Sequence, residues 1–470
     1  MTDFAALLRL NDGALARDLH VVDAVGLDAW RRTLGERART HLVAARFTGK
    51  AGETALLPGD GAADWSIAVG VGSDGLSDAW ALAGAAAALP GDTYRLADAG
   101  AAGLGWCLAQ HRFDRYRKHD DGAAPRVLLT DDANRVRDTV RIAEAVALVR
   151  DLVDTPASDL DPAALAAVIV EQGRLFGATT GVIAGEALRD GFPAVHTVGR
   201  AAAASPRMVE LTWGDPTHPR LTIAGKGVTF DSGGLNIKGG SGMALMKKDM
   251  GGAAHALALA RLVMQADLPV RLRLIVPAVE NAIAGNAFRP GDVLATRKGL
   301  SVEIGNTDAE GRLILADALT LAQEEAQEGE RADWLIDFAT LTGAARVALG
   351  PELPALFSND DELAAALLAG GAAVGDPLWR LPLWPGYRDM LKSPIADLGN
   401  APEGGFAGAI TAALFLERFV NDGQRWAHLD CYAWSPTARP GRPKGGEATG
   451  LRAVWAAVQT RYSGGSAKIS

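Results

Sequence analysis

LTIAGKGVTFDSGGLNIKGG, residues 221–240, begins as an apolar run and ends in glycines. Leu221 to Phe230 suits a strand buried on both faces, and Asp231 follows where Ser232-Gly233-Gly234 turns the chain. An α/β sheet presents chemistry in this way, on loops beyond the carboxyl ends of its strands. Outward from this stretch, MKKDMGGAAH (246–255) places Asp249 ahead of an Ala-rich helix, and NTDAEGRL (306–313) places Asp308 and Glu310 ahead of another. Lys226, Asp231, Lys238, Asp249, Asp308 and Glu310, with Arg312 beside them, are the candidate site residues.

The wider chain fits that reading. The runs LFGATTGVIAG, RMVELTW, RLRLIVPAV, DWLIDFATL and RWAHLD are expected as buried strands. Between them, GGAAHALALARLVMQA, GRLILADALTLAQEEAQ and GAITAALFLERFV are expected as helices. Such alternation predicts an α/β fold, a mostly parallel or mixed sheet flanked by helices, over 154–470. Residues 133–153 carry apolar residues at helical spacing and form the expected linker helix, ended before Pro156. Asp161-Pro162 reads as the N-cap and first position of the next helix. Residues 1–132 mix strand-like runs (HLVAARF, WSIAVGVG, RVLLT) with the Ala-rich LSDAWALAGAAAAL, a smaller α/β domain of structural or assembly role.

Composition bounds the function. At 470 residues two domains are the natural expectation. Glycine makes up 55 of them, about 12% against an average near 7%, so tight turns abound. A formal charge of −9 without basic runs argues against a general nucleic-acid binder. No apolar window reaches the ~18 residues of a membrane span, and MTDFAALLRLNDGA is not expected to be a signal peptide. Two distant cysteines, Cys107 and Cys431, exclude a disulfide framework or a Cys-type zinc site and fit a reducing cytoplasm.

Carboxylates converging on one place repel unless cations neutralise them, and hard divalent ions bind oxygen ligands. The eight histidines form no His-Glu-x-x-His pattern, which argues against a His-based zinc site. Each acid also has a plain structural use, as a turn residue, an N-cap or a partner of a helix dipole. On spacing alone the chain is an α/β enzyme of divalent-metal type whose class stays open. A two-metal phosphoesterase and a DNA-binding accessory protein are the competing readings.

The motifs go further. GKGVTFDSGGLNIK, MKKDMGGAA, NAFRPGDV, NTDAEGRL, ATLTGAA and EATGLRA, in this order across 154–453, closely resemble the leucyl aminopeptidase family of dinuclear metallopeptidases. The first 130 residues match only in kind. The resemblance implies two divalent ions, zinc, manganese or magnesium. Lys226, Asp231, Asp249 and Glu310 would hold one, and Asp231, Asp308 and Glu310 the other. Lys238 would stabilise the oxyanion, and Arg312 would hold a bicarbonate acting as general base. Met246, Thr340, Leu341 and Gly343 would line the pocket for a Leu- or Met-like first residue. Short peptides as substrates, a cytoplasmic location and a homohexamer are further implications. At 428–434 the chain reads HLDCYAW where relatives commonly have Asp-Ile-Ala-Gly after the histidine. Tyr432 thus replaces a small residue beside that pocket.

Overall fold

The structure, a computed structural model, describes residues 2–61, 64–118, 124–324 and 331–463. It divides into two compact units, 1–147 with 437–444, and 148–436 with 445–470. Met1 and 464–470, at the ends of the two expected domains, lie outside the described residues.

In the first unit six strands form one sheet: β1 (Leu8–Leu10), β2 (Arg17–Val22), β3 (Thr54–Pro58), β4 (Trp65–Gly70), β5 (Thr93–Arg95) and β6 (Val127–Thr130). Their order is β1-β6-β5-β2-β4-β3, with the β3–β4 pair antiparallel. HLVAARF is not a strand. Its first residues close the helix Glu36–Ala44, where Leu42 alone is buried and Val43 faces out. A single apolar anchor per turn suffices for a surface helix that covers β3 and its neighbours, so a short apolar run misleads there. In LSDAWALAGAAAAL only Ala83–Ala88 forms an α-helix.

The helix Ala133–Asp154 follows, as its periodicity predicts. Asp161 caps the next helix, Pro162–Leu175, by accepting the amide of Ala164 at 2.7 Å.

The second unit is built on a nine-stranded sheet of the described residues: β7 (Thr179–Ile183), β8 (Arg207–Trp213), β9 (Arg220–Gly225), β10 (Gly227–Asp231), β11 (Arg271–Asn281), β14 (Trp334–Ala339), β15 (Ala355–Ser358), β16 (Trp379–Arg380) and β18 (Trp426–Asp430), with β12 (Val293–Ala295), β13 (Ser301–Glu303) and β17 (Leu398–Gly399) in a small separate sheet. The strand expected over 221–230 is two strands, parted at Lys226. The centre is parallel, with β18, β14, β9, β11 and β10 running the same way. Towards the edges the β11–β8, β8–β7 and β18–β15 pairs are antiparallel, so the sheet is mixed. β7 is an exposed edge strand, none of whose residues is buried, rather than the buried strand expected there.

Alternate residues of β14 bury against opposite layers. Leu335 and Ala339 join the core built on the helix Gly311–Glu324. Phe338 instead stacks on His255 of the helix Gly251–Gln265, with ring centroids 5.7 Å apart. The helix expected over 311–327 is described over Gly311–Glu324, and 325–327 lie outside the described residues. These parallel strands deliver Lys226, Asp231, Asn281, Thr340 and Asp430 to a single edge of the sheet, at or just past their carboxyl ends.

Candidate metal centre

Lys226 stands where β9 breaks from β10. Its amide donates to Phe338 O at 3.0 Å and the residue is 2% exposed. The ammonium reaches Asp249 Oδ2 at 2.6 Å, Glu310 Oε1 at 3.1 Å and the Thr340 carbonyl at 2.9 Å. A Cβ on Gly311 would lie 2.5 Å from Lys226 Cε, so only glycine lets the start of that helix come this close.

Asp231 closes β10. Its Oδ1 accepts from Gly233 N at 2.9 Å and Asn281 Nδ2 at 2.8 Å, and its Oδ2 pairs with Lys238 Nζ at 2.8 Å. Gly233 and Gly234 have φ of +86° and +62°, so the glycine turn the sequence indicated is left-handed at both. Lys238 also pairs with Asp308 Oδ1. Asp249 sits in the 3-10 turn Met246–Met250, and its Oδ1 takes the Thr340 hydroxyl at 2.8 Å. Oxygens of Asp231, Asp308 and Glu310 all lie within 4.8 Å of one another. All six charged residues singled out in the sequence therefore meet, and they line a cavity of about 380 Å³.

Four carboxylates here face two ammoniums, an excess of two negative charges. Burial, then Asp231, pushes the Glu310 carboxyl up to about 8. The same two causes push Asp308 up to about 6, although Lys238 opposes them. Burial alone would lower Lys226, yet Asp249, Glu310 and Asp231 together hold it above the ordinary lysine value. Glu310 Oε2 is buried without a hydrogen-bond partner. An oxygen-rich cluster with excess negative charge and an orphaned carboxylate oxygen fits hard divalent cations. With cations present, Lys226 could give up its proton and act as a nitrogen donor.

Arg312 is placed differently. It is the second residue of the helix Gly311–Glu324, 7% exposed, and Nη1 donates to Asn400 O at 2.6 Å. It does not line the cavity, and burial lowers it to about 10. Its Nε has no hydrogen-bond partner.

The supporting residues were not foreseen. Asn400 Oδ1 accepts from Gly305 N and Asn306 N, while its Nδ2 donates to Asn306 O, so it clamps the loop that carries Asp308 and Glu310. Thr307 ties the same loop to the turn after β10 through Gly233 O at 2.7 Å. Asp430 accepts from Leu341 N, Thr342 N and the Thr342 hydroxyl, and so holds the 340–343 loop. Asp430 lay in the quoted HLDCYAW, but nothing in the sequence marked Asn400.

Met246, Thr340, Leu341, Gly343 and Tyr432, the residues expected around the first side chain, line the same cavity. Lys248 and Arg346 join them. Lys248 Nζ lies 4.8 Å from the Tyr432 ring centroid and Arg346 Cζ 5.1 Å from it. Burial holds Lys248 below the ordinary lysine value.

Comparison with known proteins now adds to the geometry. Residues 147–455 match the cytosol aminopeptidase family, catalytic domain, and residues 18–129 match the M17 aminopeptidase N-terminal domain. A probable cytosol aminopeptidase of Roseiflexus castenholzii is 43% identical over 324 residues, 68% of this chain and 65% of that protein. The match thus spans just under two thirds of that relative's length. The crystal structure of cytosol aminopeptidase from Coxiella burnetii superposes with a TM-score of 0.91 at 43% identity, covering 97% of this chain and 99% of that one. Bottromycin maturation enzyme BotP, solved in complex with Mn, gives a TM-score of 0.83 at 33% identity over 97% of this chain and 99% of its own.

Proposed function

The chain belongs to the cytosol aminopeptidase family, and from that premise we propose that it is a two-metal aminopeptidase that removes the first residue of short peptides. The observation that carries this reading is the convergence of Lys226, Asp231, Asp249, Asp308 and Glu310 on one cavity with excess negative charge and an unpartnered buried oxygen. Lys226, Asp231, Asp249 and Glu310 would hold one ion and Asp231, Asp308 and Glu310 the other. When bound, two divalent ions supply Lewis acidity at the scissile carbonyl and lower the pKa of water. Manganese or zinc is the proposed loading, with magnesium the alternative at the exchangeable position. The manganese complex of the related BotP supports the first.

The chain's own residues supply the rest. Asp249, oriented by the Thr340 hydroxyl, would receive the substrate's free α-amine, which confines cleavage to the first peptide bond. Lys238, half-buried on its glycine turn, would donate to the oxyanion as the carbonyl becomes tetrahedral. Its present partners, Asp231 and Asp308, would then serve the cations instead. Bicarbonate as general base would rest on Arg312, whose Nε is the unpartnered donor there. Met246 and Leu341 provide the apolar wall that a Leu- or Met-like first residue needs. The proposed cytoplasmic location and homohexamer rest on family membership. Among the described residues no helix is long and apolar enough to cross a membrane.

Titration calorimetry of metal-stripped protein with Mn²⁺ tests the centre itself. Two ions per chain are expected, falling to one or none in Asp308→Ala. Stoichiometric binding that survives in Asp308→Ala and Glu310→Ala together would place the metals elsewhere.

A further inference from the structure

Lys248 is 5% exposed and lines the cavity, one residue before Asp249 in the same 3-10 turn as Met246. Among the described residues its ammonium makes no salt bridge or hydrogen bond, and it rests against the face of Tyr432 at 4.8 Å. The neighbouring acids are committed elsewhere. Asp249 is held by Lys226 and Thr340, and Asp430 is consumed by the amides of Leu341 and Thr342 and the Thr342 hydroxyl. Asp249 and Asp430 attract it only from beyond ion-pair distance, and a buried cation without an ion-pair partner is costly unless a ligand brings one. A second cation, Arg346, reaches the Tyr432 ring at 5.1 Å and its hydroxyl at 3.4 Å. The part of the cavity set aside for the first side chain therefore has an apolar wall, Met246 and Leu341, and a cationic end.

We infer that this pocket takes an acidic first residue, its methylenes against Met246 and Leu341 and its carboxylate paired with Lys248, with Arg346 and the Tyr432 hydroxyl assisting. This rests on the aminopeptidase reading and narrows its substrate class from apolar residues to glutamate and aspartate. A glutamyl side chain has the linear reach and volume of a methionyl one, so the apolar wall remains in use. What it adds is the charge that Lys248 lacks. The carboxyl group in question belongs to the side chain, since Lys248 shares a turn with Met246 and Asp249, on the side of the first residue.

The test compares α-Glu-, Gln-, Leu- and Met-p-nitroanilide as substrates of the Mn²⁺-loaded full chain. None of these leaving groups carries a carboxylate, so any preference for acid arises from the first side chain. Glu over Gln by at least about tenfold in kcat/KM is the expected result. The ratio should fall towards one in Lys248→Met, with Leu and Met rising relative to Glu, and stay above one in Lys248→Arg. Metal-dependent cleavage of Leu and Met with Glu no better than Gln would overturn the inference and leave the aminopeptidase reading standing. No metal-dependent cleavage of any of the four would overturn both. Should Lys248→Met fail to fold, the Glu/Gln ratio of the unmodified chain decides alone.

Discussion

Glu310→Gln is expected to lower kcat/KM by at least about three orders of magnitude without destabilising the metal-free protein. Glutamine keeps the volume of the side chain, which is 1% exposed, and removes its charge. In the metal-free protein that charge is a liability, since burial and Asp231 push the carboxyl up to about 8 and Oε2 has no partner. Replacing it relieves repulsion, so the melting temperature without metal should hold or rise. With metal the same charge becomes a ligand to both ions, and its loss removes activity and the thermal stabilisation that metal confers. Activity loss together with a lower metal-free melting temperature would mean that Glu310 is a structural acid.

The second large effect is at Lys238. Lys238→Met should reduce kcat by about two to three orders of magnitude with KM changed less than about threefold and two metals still bound. The two site lysines differ in setting. Lys226 is enclosed between Asp249 and Glu310, whereas Lys238 keeps 16% of its side chain exposed towards the cavity. A group that acts only as charge accumulates on the carbonyl oxygen appears in kcat, and a group that holds substrate throughout appears in KM. Loss of metal from Lys238→Met would show instead that Lys238 serves the ligands and not the reaction.

Much of the catalytic unit was legible because burial on both faces leaves a plain signal. RLRLIVPAV and DWLIDFATL are mostly apolar runs, and they became most of β11 and β14, buried along nearly their whole length. Where burial is partial the signal weakened, in which element forms at HLVAARF and in how deeply the expected strand lies at LFGATTGVIAG. HLVAARF became the end of a surface helix, and the Thr179–Ile183 edge strand is largely exposed. The charged cluster was readable because its acids precede glycines or helix starts in motifs of fixed spacing. Its supports were not. Asn400 lies more than 80 residues beyond the loop it clamps, and one asparagine in an irregular stretch looks like any turn residue. Lys248 could be quoted within MKKDMGGAA, but its lack of an ion-pair partner is a property of the fold, since it depends on the hydrogen bonds that Asp249 and Asp430 accept from other groups.

The central claim is metal-dependent removal of a free N-terminal residue. Its most direct measurement is p-nitroaniline release by metal-stripped protein from the Glu, Leu and Met anilides, each free or N-acetylated, with and without Mn²⁺ or Zn²⁺. Release is expected only when metal is restored, only from unblocked substrates, and not at all from Glu310→Gln. Release without metal, equal release from acetylated substrates, or no release under any condition would contradict it.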